Sequence, residues 1–432
     1  MKQKRRFLIA VLFVSIVSFS THLPKISHPS VVVFDETHFG GFVSDYARGV
    51  CYFDIHPPLA KLMLFGVAKA IGYKGDFNFS NTDTSYYEGN YKDKNFFIYL
   101  RLLPAICSSL VGPMLTAALM IAKYDWFIAI LPGLLFSFDF ISITQGRLIL
   151  TDGILYFFVA LTILATSLME KKKRLGYLFL QAFAAGCTIS IKFTGCSVLV
   201  YIAFSHFKLL FGKKRWFYKL VLRGIIIFIT CVTILFTTVA IHLKLMPKKG
   251  YGDLYMEANF RKLPMLKRVI KLIIAMYTYN RDLRFTHPYQ SYWYQWPFSI
   301  SQPILLYLTN DETLYLFNNP IAALVSFAGF ILSIAVSIIC NLKLQYTYSL
   351  GYLFSYFPFI LIARCTFVYH YEIPLIFGLM CFSHFLKHID KKKSLIITFV
   401  VLFAAILAYV FWFKWIYAIP ASKSYNQSRM FW

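Results

Sequence analysis

Apolar residues recur along this chain in long runs, mostly of roughly 17–25 residues, the length a helix needs to cross the hydrocarbon core of a bilayer. Read in order, the runs fall near 7–20, 97–121, 125–143, 148–168, 176–191, 195–211, 222–245, 316–340, 346–364, 367–386 and 394–416. Residues are 58% hydrophobic and only 15% charged, whereas charged residues supply about a quarter of a soluble domain. The expected fold is an all-α integral membrane protein with about 11 transmembrane helices. A formal net charge of +25 could suggest nucleic acid, but the basic residues form short clusters between apolar runs rather than a basic stripe on a polar face. That pattern carries topology, and a nucleic-acid partner is not expected. Of the eight cysteines, only Cys51 falls in a clearly polar segment, and no spacing of a structural zinc site occurs. His384 and His388, four apart at a helix end, read as boundary residues rather than a metal pair. No metal site is expected.

The first run follows a basic segment, Lys2 to Arg6, without a convincing small-residue cleavage site, so it reads as a signal anchor with the N-terminus in the cytosol. On that reading the cytosolic segments are the N-terminus, Lys123, Lys171–Arg174, Lys208–Arg223, Lys343 and Lys387–Lys393, which hold 20 of the 44 Lys and Arg residues. Eleven spans then leave the C-terminus outside. Two non-cytosolic loops are long, 21–96 and 247–315. The first contains an amphipathic segment at 57–72. In the second, basic and apolar residues alternate at helical spacing over 261–274, as in a helix lying in the membrane interface. Aromatic residues crowd 285–298, as in a headgroup-level belt. No repeat or low-complexity linker divides residues 1–432, which read as a single polytopic domain. Two glycosylation sequons, Asn78-Phe-Ser80 and Asn426-Gln-Ser428, are compatible with this topology.

Most of the unusual ionisable residues fall on the non-cytosolic side. Asp35 and Glu36 follow the first span, and Asp54 and His56 precede Pro57-Pro58. Arg101 lies within the second span, Arg147 and Asp152 bracket the start of the fourth and could pair there, and Lys192 ends the fifth. His287 sits in the second long loop, with Arg364, Tyr369 and His370 at the turn between the ninth and tenth spans. Ionisable groups at membrane depth persist where they pair or face a polar cavity. Cations suit a lipid phosphate and carboxylates suit a general base, a combination that serves a transferase using a lipid-phosphate donor. Ion pairs between helices would produce a similar list.

Val33-Phe-Asp-Glu-Thr-His-Phe-Gly40 and Tyr52-Phe-Asp-Ile-His-Pro-Pro-Leu-Ala-Lys61 resemble the first luminal loop of the protein O-mannosyltransferases. The resemblance continues through Tyr99-Leu-Arg-Leu102, Gln145-Gly-Arg-Leu-Ile-Leu-Thr-Asp152 and Ser190-Ile-Lys-Phe-Thr-Gly195. It resumes at His287-Pro-Tyr-Gln-Ser-Tyr-Trp-Tyr-Gln-Trp-Pro297, Asn319-Pro320 and Tyr369-His-Tyr371. It implies a GT-C type glycosyltransferase with eleven spans in the endoplasmic reticulum membrane, active site facing the lumen. Such an enzyme moves mannose from dolichyl phosphate mannose to Ser or Thr hydroxyls of secretory-pathway proteins, with inversion and no other cofactor. Asp35, with Glu36 beside it, matches the catalytic acidic pair, Asp35 as base. Arg101, Lys192, His370 and Arg364 would hold the donor phosphate, and Asp54, His56, Arg147, Asp152, His287 and Tyr369 are further site candidates. Pairing as a homo- or heterodimer with another family member is also implied. The second loop, 69 residues long (247–315), is too short for the MIR β-trefoil of eukaryotic members. Two other functions fit parts of the pattern: a polyprenyl-linked sugar transporter and a non-catalytic partner of an active mannosyltransferase. The polar groups crowd one face, without the paired halves and interrupted midplane helices of transporters.

Overall fold

The computed structural model describes residues 2–88, 94–342 and 346–429; Lys343, counted above among the loop cations, lies outside the described residues. In chain order the helices are α1 (Lys2–His22), α2 (Glu36–Arg48), α3 (Leu59–Ala70), α4 (Phe96–Ile121), α5 (Trp126–Ser137), α6 (Phe140–Gly146), α7 (Asp152–Lys172), α8 (Leu175–Ile189), α9 (Ser197–Leu210), α10 (Trp216–Leu245), α11 (Met265–Asp282), α12 (Pro320–Ile339), α13 (Thr347–Tyr356), α14 (Glu372–Lys387), α15 (Lys391–Tyr417) and α16 (Lys423–Gln427). A short antiparallel hairpin, β1 (Ile304–Leu308) with β2 (Thr313–Leu316), precedes α12, a departure from the all-α expectation. It lies in the second long loop, away from the apolar runs.

Every apolar run read from the sequence forms a helix or a helix pair, but not every one is a long helix. Seven helical stretches are long and apolar enough to cross a membrane, and an eighth joins α5 and α6 as one bent pair. The protein is a multi-pass membrane protein. The runs at 176–191, 346–364 and 367–386 form the shorter helices α8, α13 and α14. Pro358 accounts for the early end of α13: it lacks an N–H and disfavours helical geometry at Phe357, so the chain passes into a 3-10 turn over Phe357–Ile360. The 56° bend between α5 and α6 has a comparable local cause. Asp139 breaks the helix in extended geometry, and its carboxylate accepts the Ser142 N–H, capping α6.

Small residues let the helices approach closely, as in membrane bundles generally. A Cβ on Gly112 of α4 would stand 2.7 Å from the Gly133 carbonyl oxygen of α5, and one on Gly133 would meet the Gly112 oxygen at 2.5 Å. At the start of α12, Asn319 is an N-cap followed by Pro320, a pairing suited to a first helical turn. Its Oδ1 accepts from the Ile321 and Ala322 N–H groups, while its Nδ2 donates to the carbonyls of Phe138 and Ala405. One side chain thus ties α12 to the α5–α6 break and to α15.

The two long loops are partly helical. The 57–72 segment forms α3, and the basic-apolar segment of the second loop forms α11, which buries only Val269, Leu272 and Met276. The aromatic crowd divides: Trp296 is fully buried, whereas Tyr292, Tyr294 and Phe298 are exposed. Residues 247–252 run beside 50–52, with the Cys51 N–H donating to the Lys248 carbonyl (3.2 Å). The loops therefore form one cover over the end of the bundle where α7 begins.

Candidate functional site

Asp35 stands at the N-cap position of α2 but does not cap it. Phe34, immediately before it, has φ 54°, a left-handed conformation that a bulky residue adopts only where the surroundings hold it. The turn directs the Asp35 carboxylate away from the helix into a small cavity of about 70 Å³. His56, Asp152, Lys192, Arg364, Tyr369 and His370 also line it. Seven of the twelve residues singled out from the sequence therefore converge, from five separate segments of the chain. Burial pushes the Asp35 carboxyl up to about 6, against the opposing pull of His38 and Lys192. Such a group is a better proton acceptor than an ordinary carboxylate and is still ionised at neutral pH.

The cations are not equivalent. Lys192 is set by an extended residue just before a 3-10 turn, and its Nζ donates to Asp152 Oδ1 at 2.7 Å over the ring of Tyr369. The Arg364 guanidinium makes no ion pair among the described residues. Phe367 N–H donates to His370 Nδ1 (3.1 Å), which fits the tautomer with its proton on Nε2. Burial, with Arg364 and Lys192 nearby, holds His370 well below the ordinary imidazole range. Burial likewise takes His56 down to about 3, and its buried Nδ1 has no hydrogen-bond partner. Both rings are neutral and can serve as hydrogen-bonding groups.

His56, Lys192, Thr194 and Arg364 also border a second, larger pocket of about 440 Å³. Its far wall carries Arg281 and Arg284 at the end of α11, and its inner wall is apolar, with Phe354 and Phe359. A carboxylate chamber thus opens across a line of cations into a pocket with one basic and one greasy side.

The remaining candidates are placed elsewhere. Glu36 and Arg101, expected in the catalytic pair and the phosphate clamp, are both fully buried and bound to each other. Arg101 Nε and a terminal nitrogen donate to the two Glu36 oxygens at 2.8 Å each, and its other donors reach the carbonyls of Pro29 and Val31. The Glu36 carboxylate also accepts from Val33 N–H, Ile149 N–H and the Tyr86 hydroxyl. With all these groups satisfied internally, the pair is a structural clamp beside the cavity. Arg147 does not pair with Asp152 as the sequence suggested. It donates to the carbonyls of Ile416, Lys25 and His28 and stacks on Tyr417, because the chain turns it away before α7 starts. Asp54 forms an ion pair with Lys61, which also donates to the His56 carbonyl; burial would raise the Asp54 carboxyl, but Lys61 and His56 bring it below the usual range. His287 accepts from Tyr289 N–H and packs on Phe367, bracing the 364–370 turn from outside.

A family model described as dolichyl-phosphate-mannose-protein mannosyltransferase matches residues 12–246. The chain belongs to that family. A second model, the C-terminal four TMM region of protein-O-mannosyltransferase, matches residues 265–432. Dolichyl-phosphate-mannose–protein mannosyltransferase 4 of Schizosaccharomyces pombe is 32% identical over 275 residues, 60% of this chain and 35% of the relative. Protein O-mannosyltransferase 1 of Drosophila melanogaster is 31% identical over 190 residues, 44% of this chain and 20% of the relative. The matches thus span about a third or less of those relatives' length. The fold matches a chain of the S. cerevisiae protein O-mannosyltransferase Pmt1-Pmt2 complex bound to the sugar donor, with TM-score 0.88 and 16% identity, covering 100% of this chain and 92% of that one.

Within this O-mannosyltransferase fold, several site groups went unremarked in the sequence. Gln145 lines the small cavity and lies inside a block quoted for the resemblance. Lys61 was flagged only by its spacing from Asp54. Arg281 and Arg284 lie just beyond the segment read as interfacial. Glu372, fully buried with neither carboxyl oxygen hydrogen-bonded, follows Tyr371 at the start of α14, and an acidic residue opening an apolar run was the available signal.

Proposed function

We propose that this chain transfers mannose from dolichyl phosphate mannose to Ser or Thr hydroxyls of secretory-pathway proteins. The observation that carries the reading is the Asp35 carboxylate facing a small chamber that opens, across Lys192, His56 and Arg364, into a pocket walled by arginines on one side and apolar residues on the other. The mannosyl phosphate spans that opening, with the sugar toward Asp35 and the polyprenyl chain along the apolar wall. The acceptor hydroxyl attacks the anomeric carbon while its proton passes to Asp35. The bond from that carbon to the phosphate oxygen breaks with its electron pair, leaving dolichyl phosphate. Attack opposite the leaving group inverts the anomeric centre. Lys192 and Arg364, with Arg281 and Arg284 at the mouth, stabilise the charge developing on phosphate, and neutral His370 and His56 supply hydrogen bonds. A Ser hydroxyl is a weak nucleophile, so a base at Asp35 is a chemical requirement. No metal takes part in this scheme.

The same reading has residues 1–432 acting as one polytopic unit in the endoplasmic reticulum membrane, crossing eleven times. The bent α5–α6 pair counts as one crossing and the shorter α8, α13 and α14 as one each. The N-terminus is then cytosolic, and the Asp35 face and C-terminus are luminal. The solved relative is a complex of two family members, which supports testing this chain both alone and with a second member.

The deciding experiment compares the unaltered chain with Asp35→Asn in membranes from a host lacking its own protein mannosyltransferases, at matched expression. Transfer to a Ser/Thr-rich peptide is expected to fall by about 10²–10⁴-fold, the usual contribution of a general base. Full activity in Asp35→Asn overturns the assignment of the base. Absence of transfer by the unaltered chain, with a family partner present, overturns the enzymatic reading in favour of a non-catalytic subunit.

A further inference from the structure

A second polar cavity, of about 290 Å³, lies at the opposite end of the bundle. The helix α7 links the two sites: Asp152 at its first residue borders the Asp35 chamber, while Glu170 and Lys171 at its other end border this cavity. A helix of 21 residues separates them by about 30 Å. Four lysines ring the cavity, Lys123, Lys171, Lys208 and Lys387, each at or just beyond the C-terminal end of a different helix. Glu170 is the one acidic residue lining it. Its carboxylate is taken by Lys208 at 3.6 Å and the Ser205 hydroxyl at 2.7 Å. Three lysines are left without a carboxylate among the described residues, and Lys387 stands over the Tyr124 ring at 4.4 Å.

Lysines on this side of a membrane protein, near helix C-termini, need no ligand to explain them. Two features go beyond that explanation. The lysines surround an internal space rather than simply reaching into solvent, and its walls include the buried residues Tyr124, Tyr201 and His384. Thr347, 6% exposed, also lines the cavity, and its hydroxyl is buried without a hydrogen-bond partner. It is the first residue of α13, a helix of 10 residues with no side-chain cap. Uncompensated cations, an unused hydroxyl and free helical N–H groups suit a compact anion with several acceptor oxygens.

We propose that this cavity is a second ligand site, binding a phosphate group on the face opposite the transfer chemistry. The phosphate belongs either to an anionic phospholipid headgroup of that leaflet or to a free phosphorylated solute. The test uses the purified full-length chain, with its family partner where it requires one. Stabilisation against thermal unfolding is followed while sodium phosphate replaces sodium chloride at constant ionic strength. In a second arm, phosphatidic acid is introduced into phosphatidylcholine nanodiscs. The unaltered protein is compared with Lys171→Gln/Lys387→Gln, which leaves the Asp35 face untouched. Each lysine lost is expected to weaken phosphate binding by about tenfold, the size of one charge-assisted hydrogen bond. A lysine-dependent response to both probes supports a free phosphorylated solute, and one confined to phosphatidic acid supports a lipid headgroup. No response to either probe, or an equal response in the lysine variant, overturns the site. If the lysine variant does not fold, Thr347→Val carries the test. Phosphate binding as tight as in the unaltered chain then overturns the proposal, and weakened binding supports it.

Discussion

Arg101→Met separates two roles that the sequence could not distinguish, a phosphate ligand and an internal clamp. Both Arg101 and Glu36 are 0% exposed, and the guanidinium supplies two 2.8 Å hydrogen bonds to the carboxylate. Methionine fills the space but leaves Glu36 buried and ionised without its counter-ion, a defect that costs about 3–5 kcal/mol. The Val33 and Ile149 N–H groups and the Tyr86 hydroxyl still face the carboxylate, which favours the lower end. The midpoint of thermal unfolding in detergent should fall, and amides around Val33 and Ile149 should exchange faster. Pairing the change with Glu36→Leu removes both charges together. The double variant should be more stable than the two single losses added, with a coupling of about 0.5–3 kcal/mol. Recovery is incomplete because the carbonyls of Pro29 and Val31 also lose a donor. An Arg101→Met protein as stable as the unaltered one, with a raised KM for the donor, would refute the clamp and restore Arg101 to the phosphate site.

Three further outcomes follow from the site. With Asp35 as base and its carboxyl held near 6, kcat/KM should rise about tenfold per unit of pH below that value and level off above it; a flat profile from pH 5 to 8 counts against Asp35. The sign for stability is opposite: the native state holds this proton more tightly than an unfolded chain with a value of 3.8. A penalty therefore appears as pH rises from about 3.8 to 6 and stays above it, so Asp35→Asn should be neutral or stabilising at pH 7. Arg364→Gln should raise the donor KM without lowering the unfolding midpoint, since Arg364 has no ion-pair partner to abandon; a stability loss with unchanged KM would refute its place in the clamp. Glu372→Leu should stabilise the protein by about 1–3 kcal/mol, the cost of an unsatisfied buried polar group, with transfer retained; transfer abolished in a well-folded variant would assign the carboxyl a part in the chemistry.

The sequence locates Asp35 well because its local signal, a carboxylate just after an apolar run, is also its structural reason for facing the cavity. Glu36 carries the same local signal and behaves differently. Its fate is set by Arg101, sixty-five residues on, by Ile149, and by Tyr86 in the loop, and no spacing rule joins those positions. Arg147 fails to reach Asp152 for a similar reason: the residues that satisfy it, Ile416, Lys25 and His28, belong to distant turns. The helical runs are legible because a bilayer imposes their length. The break at Asp139 and the early stop before Pro358 are local chemistry inside otherwise uniform apolar stretches, which a hydropathy window averages away.

Neighbouring carboxylates with opposite tasks also explain how the site is held rigid without being neutralised. A base inside a membrane bundle must keep its charge unpaired, which tends to pull nearby cations and amide donors onto it. Here those groups are already committed. Arg101 and the amides of Val33 and Ile149 are taken by Glu36, Lys61 by Asp54 and Lys192 in part by Asp152. Each competitor that could quench Asp35 has its own carboxylate, so the acidic residues around the cavity keep the base free as much as they shape its walls. Arg364 stands outside this arrangement, and its place at the boundary between the two pockets is where a cation left for the substrate phosphate has to be.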